Sequence, residues 1–191
     1  MMSNKPIKPW EALPSCWKTE AAFWNFVKGV LRKGWNFHPI KLEYIKRNRK
    51  LIKNPNPKGK KEYVYGMTCQ QCGKDFVQSD IQIDHKEGHT TLTKEEDIQS
   101  AAAHLLIVNF QSLRELCKGC HGIISYSNEH NISFVDAAIQ KKVIQTLKDK
   151  KKTLEILSEN GYTGDLVSND AKRRELLIKI FGGGGDHEGK K

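Results

Sequence analysis

The sequence predicts an α+β protein in which a small metal-bound core of short strands lies between helical segments. Two Cys-x-x-Cys pairs, Cys69/Cys72 and Cys117/Cys120, mark this core. Between them, residues 81–83 alternate apolar and polar side chains, which is typical of a strand with one buried face. Before residue 54 and after residue 132, apolar residues recur at helical spacing instead.

The paired cysteines predict a structural zinc site. Two thiolates separated by two residues can hold one side of a tetrahedral ion, and a second such pair can complete the tetrahedron. Ordinary buried thiols or a redox pair are the alternative, but two matched pairs favour zinc. An ion bound between these segments would hold Asp84, His85 and His121 near one another. Cys16 has no matching partner and is expected only to pack.

Composition limits the size and location of the protein. The chain has 191 residues, of which 38% are hydrophobic, and its mean hydropathy is −0.61. These values allow one modest core with room for a small appended module. No apolar run reaches membrane-spanning length, and the first residues do not form a signal peptide. We therefore expect a cytoplasmic protein, and in that reducing compartment paired cysteines more often bind metal than form disulfides.

Positive charge is concentrated in one part of the chain. The formal net charge is +10, and residues 28–61 contain twelve lysines and arginines with Glu43 as their one acidic residue. Such a field favours polyanions, because each neutralised phosphate releases condensed counterions. The alternative is a solvated helix face. The residues expected to contact DNA are Lys46, Arg47, Arg49, Lys50 and Lys53.

Helix signals divide the chain into four parts. One helix is predicted from a Thr19 cap to Gly34, and another from Pro39 to the Asn54-Pro55 break, with Leu51 facing inward. Later, one long helix is expected from Ser133 to Asn160 and another after Asn169. The predicted parts are a basic helical DNA-binding segment and linker (1–62), a zinc-bound core (63–132), a C-terminal helical region (133–181) and a disordered tail (182–191).

Three residues near the cysteines could hydrolyse a phosphodiester bond. A neutral imidazole has a pKa of about 6.5, so His85 can accept a proton from water near neutral pH. Alternation along a strand would turn Asp84 to the face opposite His85, or to its own side if the strand bends. Asp84 and His121 could then hold a divalent cation with open positions for water and phosphate, a ligand set that suits Mg²⁺ or Mn²⁺.

At these residues the chain resembles the HNH endonuclease family, in which a strand ending in Asp-His, a second strand and a helix form a small ββα-metal fold. The matching residues are Cys69 and Cys72, then residues 83–85, then residues 113–121. The resemblance covers residues 63–132, and the layout is similar to HNH proteins of bacteriophages. It implies that His85 is the general base, that Asp84 and His121 bind the catalytic metal, and that the four cysteines bind a structural zinc ion.

One position departs from the family pattern. The asparagine that orients the base usually lies five residues before the third cysteine, where this chain has Ser112; Asn109 lies three residues earlier. Either residue is a candidate for that role. His89 lies in a polar loop and could approach the metal, although no spacing argument supports it. The histidines expected to pack or to lie on the surface are His38, His104, His130 and His187.

These observations favour a metal-dependent endonuclease acting on DNA, most simply on a duplex. The alternative is a non-catalytic, zinc-stabilised module that binds DNA or docks a protein and has a degenerate HNH site. An RNA nuclease also stays open, because the phosphate chemistry is shared, although the sequence shows no obvious aromatic platform for single-stranded RNA. The C-terminal helices are expected to brace the core, or to pair with a second copy or a partner protein.

Overall fold

The computed structural model describes residues 7–12, 16–56, 58–87 and 91–183. Within these ranges the chain is mixed α+β, with seven α-helices and two small antiparallel sheets. It divides into two compact units, Met1–Lys118 and Gly119–Lys191. His89 and most of the predicted tail, residues 184–191, lie outside the described residues. Among the described residues, no helix has the length and apolar character that a membrane crossing requires.

The first unit begins with two helices, α1 (Glu20–Asn36) and α2 (Pro39–Asn48). The Thr19 hydroxyl accepts a hydrogen bond from the Ala22 amide at 3.2 Å, which confirms the predicted cap. Pro39 is at the start of α2, as predicted. The predicted stop at Gly34 is wrong, since α1 continues to Asn36. This continuation places Trp35 inside the helix, where it is buried.

A three-stranded sheet follows, made of β1 (Lys50–Lys53), β2 (Tyr63–Thr68) and β3 (Asp75–Val77) in that order. The prediction that the second helix continues to the break at Asn54 is wrong, because α2 ends at Asn48. The backbone becomes extended at Arg49, with φ −71° and ψ 143°, and β1 then pairs with β2 in an antiparallel ladder. Leu51 is 63% exposed rather than inward-facing. In this ladder the backbone N–H and C=O groups of β1 bond to β2. In a further helical turn the same groups would have bonded within the helix.

The second sheet pairs β4 (Ile81–His85) with β5 (Leu113–Cys117). Helix α3 (Asp97–Leu106) lies between them in the chain. Helix α4 (Lys118–His130) follows β5 directly. The order around the predicted site is therefore strand, helix, strand, helix.

The core of the first unit joins its helices to both sheets. Its buried members come from α1, α2, β2, β4 and β5, and a smaller apolar cluster packs α1 against α3. Burying these side chains is the main force that holds the short strands in place, because two- and three-stranded sheets are marginal alone. The buried members of the larger cluster are Trp35, Tyr44, Met67, Ile83 and Leu113.

The second unit contains α5 (Phe134–Leu147), α6 (Lys150–Glu159) and α7 (Asp170–Phe181). The caps predicted at Ser133 and Asn169 are confirmed. The single helix predicted from residue 133 to residue 160 is wrong, because Asp149 caps a new helix by accepting from the Lys152 amide at 3.0 Å. Apolar side chains from both sides of this break pack into one cluster together with those of α7. Its buried members, one from each helix, are Val143, Leu157 and Leu177.

Candidate metal centre and histidine site

The four paired cysteines come together in the structure. The Sγ atoms of Cys69, Cys72, Cys117 and Cys120 all lie within 4.8 Å of one another. Tetrahedral zinc with bonds of about 2.3 Å would hold its sulfurs roughly 3.8 Å apart, so this spacing fits the ion. In the described parts of the chain, this is the one group of three or more histidine, cysteine or acidic side chains that converges in this way. The predicted metal-binding cluster is therefore confirmed as a group of side chains able to hold an ion. Cys16 is exposed, so the expectation that it packs is wrong.

The first cysteine pair lies in a tight turn between β2 and β3. The Cys69 amide donates to the Lys74 carbonyl, and the Gly73 amide donates to the Cys69 carbonyl, both at 2.9 Å. Gly73 has φ +69°, a conformation that glycine adopts without the steric cost of a Cβ atom. The same turn is bonded to β5, because the Gln70 amide donates to the Glu115 carbonyl at 2.9 Å. These bonds hold the main chain of the turn that carries the first two thiols.

The second pair begins where β5 ends, with Cys117 closing the strand and Cys120 in the first turn of α4. Three of the thiols are buried, and Cys72 is exposed. Burial alone would raise the pKa of the Cys69 thiol, but hydrogen bonds from the main chain of Cys117, Cys72 and Gln71 outweigh it and lower the pKa to about 7. Since the thiolate is the form that binds metal, this environment suits zinc.

His85 ends β4 and turns into the apolar side of the unit. Its ring lies 4.5 Å from the Trp35 ring and 5.0 Å from the His104 ring, measured between centroids. The main-chain carbonyl of Leu105 is hydrogen-bonded to the ring, whereas Nε2 is buried and has no hydrogen-bond partner. Burial, helped by the nearby His104, lowers the pKa of His85 below its ordinary value of 6.5 despite the opposing effects of Leu105 and Asp84. His85 is thus held as a neutral imidazole at neutral pH.

Asp84 lies on the other face of β4, as the strand alternation predicted. It is opposite Arg114 on β5. The guanidinium donates two hydrogen bonds to Oδ2 of Asp84, from Nε at 3.0 Å and from Nη2 at 2.8 Å. Both side chains are about one-fifth exposed, at 20% for Asp84 and 21% for Arg114. A cation therefore already neutralises the carboxylate that the sequence suggested as a metal ligand.

The two candidates for orienting the base bond to each other. The Ser112 amide donates to Oδ1 of Asn109 at 3.0 Å, and the Asn109 amide donates to Oγ of Ser112 at 3.2 Å. Together they close the 3₁₀ turn that leads into β5. The group that bonds the His85 ring is instead the Leu105 carbonyl. Every residue has a main-chain carbonyl, so nothing in the sequence could have identified this one.

Three residues of the site, Trp35, His104 and Arg114, were not identified as functional from the sequence. Trp35 lies four residues after Leu31, so continuing the apolar stripe of α1 by one turn would have found it. His104 was expected to pack or to lie on the surface, and its ring packs beside that of His85. Arg114 becomes significant only through its pairing with Asp84 across the two strands, which no local pattern indicates.

Two further histidines have definite places in the structure. His38, expected to pack or to lie on the surface, packs against Trp35 with 5.7 Å between the ring centroids. Its Nε2 atom is also hydrogen-bonded to the Leu106 carbonyl at 3.0 Å. His121, the predicted second ligand of the catalytic ion, lies in α4 directly after Cys120 and is half-buried.

The five residues expected to contact DNA are all exposed. Lys46 and Arg47 lie on α2, and Nε of Arg47 bonds Glu43 at 2.9 Å. Lys50 pairs with Asp75 at 2.8 Å. Arg49 and Lys53 both lie on the face of the first sheet that carries Tyr65. Exposure leaves these groups accessible to a polyanion.

No family model, curated protein or solved structure matches this chain. Its likeness to HNH endonucleases therefore consists of the motif residues themselves.

Proposed function

We propose that this protein is a metal-dependent endonuclease of the HNH type that hydrolyses phosphodiester bonds in DNA. The observation that carries the proposal is the position of Asp84 and His85 at the end of β4, facing opposite sides of a strand whose partner, β5, leads straight into the cysteine cluster. The cluster would act as a structural zinc site that fixes this end of the unit.

In this proposal His85 is the general base. The Leu105 carbonyl fixes one side of its ring, the Trp35 indole supports its face, and Nε2 takes the proton from the attacking water. The lowered pKa keeps the ring neutral and able to accept that proton. Because Nε2 is covered in this structure, bound DNA or a shift of the neighbouring rings must expose it before cleavage.

Asp84 and His121 are the proposed ligands of a catalytic Mg²⁺ or Mn²⁺ ion, which when bound would stabilise charge on the phosphate and on the leaving oxygen. Arg114 donates to Oδ2 of Asp84 in this structure. For the ion to bind at Oδ2, Arg114 would have to give up at least one of these two hydrogen bonds. A guanidinium released next to the site can pair with a phosphate, whose geometry it matches.

Cleavage of supercoiled plasmid in the presence of Mg²⁺ or Mn²⁺ tests the proposal directly. We expect nicked or linear product from the natural protein and none above background from His85→Ala. The matched control is His130→Ala, because His130 is exposed at the end of α4. Full activity in His85→Ala would remove this residue from its role.

A non-catalytic module with a degenerate HNH site is the second candidate. Two observations favour it: Nε2 of His85 is covered, and Arg114 already neutralises Asp84. This candidate predicts DNA binding without cleavage at any concentration of Mg²⁺, Mn²⁺, Co²⁺ or Ni²⁺. A retained zinc ion together with saturable DNA binding and no product would establish it.

A further inference from the structure

One face of the hairpin formed by β1 and β2 displays apolar and aromatic side chains to solvent. Leu51 is opposite Tyr65 in the ladder, and Lys53 is opposite Tyr63. Directly paired residues of neighbouring strands share a face of the sheet. Leu51, Tyr63 and Tyr65 are 63%, 54% and 50% exposed. We call this surface, together with Lys53 and Arg49, the tyrosine face.

Positive charge accompanies the two rings. The Arg49 guanidinium carbon lies 4.1 Å from the Tyr65 ring centroid, which places the cation on this surface. None of the five members of the tyrosine face is a carboxylate. The neighbouring Lys50 alternates to the other side of the hairpin, where it pairs with Asp75. The two sides of the same hairpin therefore differ: one has a lysine neutralised by an aspartate, and the other has two cations beside two tyrosines.

We propose that the tyrosine face binds single-stranded DNA, with Tyr63 and Tyr65 stacking on unpaired bases while Arg49 and Lys53 contact the phosphates. Exposed aromatic rings flanked by cations suit a flexible single strand, because every base has a face to stack and every linkage has a charge. In a duplex the base faces are already covered by their neighbours, so the two rings would gain nothing from it.

The spacing of the rings supports this assignment. Tyr63 and Tyr65 are two residues apart on one strand, which separates their Cα atoms by about 7 Å. Each ring can therefore meet a different base of a nucleic acid strand that follows β2. The sequence showed no obvious aromatic platform for single-stranded RNA. This face was missed because it is formed by the pairing of residues 50–53 with β2, which was not predicted.

The proposal extends the proposed function by naming the form of nucleic acid that is held. Its choice of DNA over RNA rests on that function, but binding does not require cleavage. Affinity is therefore measured by fluorescence anisotropy without added divalent metal, so that a failure here leaves the plasmid assay untouched. The probes are a labelled 20-nucleotide single strand, its blunt duplex, the same single strand in RNA, and a strand of equal length whose nucleotides are all abasic.

We expect the single DNA strand to bind more tightly than the duplex. The Tyr63→Ala/Tyr65→Ala variant should lose about fivefold or more in affinity for it, because each stacked base contributes at least about that factor. The same variant should bind the abasic strand as the natural protein does, since the phosphates are unchanged. Tyr63→Phe/Tyr65→Phe should restore binding, because phenylalanine keeps the stacking face.

A pair of charge variants separates this face from general electrostatics. Lys53→Ala should weaken binding of the single strand more than Lys50→Ala, although both remove one charge from β1. Circular dichroism should show that all variants are folded, as expected for exposed positions. Unchanged affinity in the double alanine variant, equal binding of intact and abasic strands, tighter binding of duplex, or tighter binding of RNA than of DNA would each overturn the proposal.

Discussion

The ring of His85 packs on the indole of Trp35, with 4.5 Å between the two centroids. His85 lies at the end of β4, and Trp35 lies in the last turn of α1, fifty residues earlier in the chain. This contact covers part of the half-buried imidazole, and burial is the largest cause of its lowered pKa. A helix outside the HNH-like motif therefore contributes to the burial that lowers the pKa of the proposed base.

The pH dependence of cleavage should reveal this burial. Activity requires neutral His85, so the rate should fall as the pH drops through the pKa of this residue, and the midpoint should lie below 6.5 because that pKa is lowered. In Trp35→Leu the ring gains water, so the midpoint should move up toward 6.5 and the maximal rate should fall about tenfold or more as positioning is lost. Rates measured from pH 5 to pH 8 check both expectations. An unchanged midpoint in a folded Trp35→Leu protein would contradict the role of this contact.

Metal analysis should find one zinc ion per chain in protein purified without chelators. Cobalt substitution should produce the charge-transfer absorption of thiolate ligands. Cys117→Ser should lose the ion and melt at a markedly lower temperature, because binding free energy of a structural ion is also folding free energy. Cys16→Ser is the matched control, since this thiol is exposed and outside the cluster; it should keep both the ion and the melting temperature. Zinc-free protein with an unchanged melting curve would exclude the structural ion.

Replacing Arg114 by glutamine should lower the Mg²⁺ concentration needed for half-maximal cleavage. The guanidinium holds Oδ2 of Asp84, so its removal frees the carboxylate for a cation. The pair is mostly shielded from water, and its loss should also cost about 1–3 kcal/mol of unfolding free energy. Lys118→Gln is the control, because its ion pair with Asp80 is exposed and lies just beyond the Ile81 end of the β4–β5 ladder, whereas Asp84 is near the other end. A metal requirement that does not change in Arg114→Gln would argue against Asp84 as a ligand.

Binding of duplex DNA should weaken steeply with salt, because the contacts expected of the basic segment are with phosphates. The slope of log affinity against log salt should become shallower when the basic residues are neutralised together. Titrations between 50 and 300 mM salt on natural and variant protein measure this slope. The same slope in both proteins would assign these charges to solubility. The residues to neutralise are Lys46, Arg47, Arg49, Lys50 and Lys53.

A pair of glycine substitutions tests the packing of the first unit. A Cβ atom at Gly66 would overlap the Ile52 side chain and the Phe76 carbonyl, so Gly66→Ala should destabilise the protein by about 1–3 kcal/mol. Gly29 lies inside α1, and a methyl group there would meet nothing within 4 Å, so Gly29→Ala should stabilise the protein by about 0.5–1 kcal/mol. Chemical denaturation of both variants measures the two changes. Equal effects would show that β2 does not pack as described.

Local signals in the sequence predicted local structure well. The caps at Thr19, Ser133 and Asn169 depend on a side chain and an amide a few residues apart, and all three are present. Alternation over residues 81–83 likewise predicted β4 and the opposite orientations of Asp84 and His85. The ends of helices were harder, because the extended conformation after Asn48 is stabilised by pairing with β2, which lies outside the local pattern that predicts a helix.

By itself, the sequence determined the four cysteines that form a cluster able to hold a metal ion and the strand that carries Asp84 and His85, because cysteine spacing and side-chain alternation are properties of a few neighbouring residues. Only the tertiary structure decided what surrounds them. Trp35, His104 and the Leu105 carbonyl meet His85, and Arg114 meets Asp84, through contacts between elements distant in the chain. Burial and charge pairing at these contacts exist only once the chain has folded, and they set the protonation and accessibility of the proposed catalytic groups.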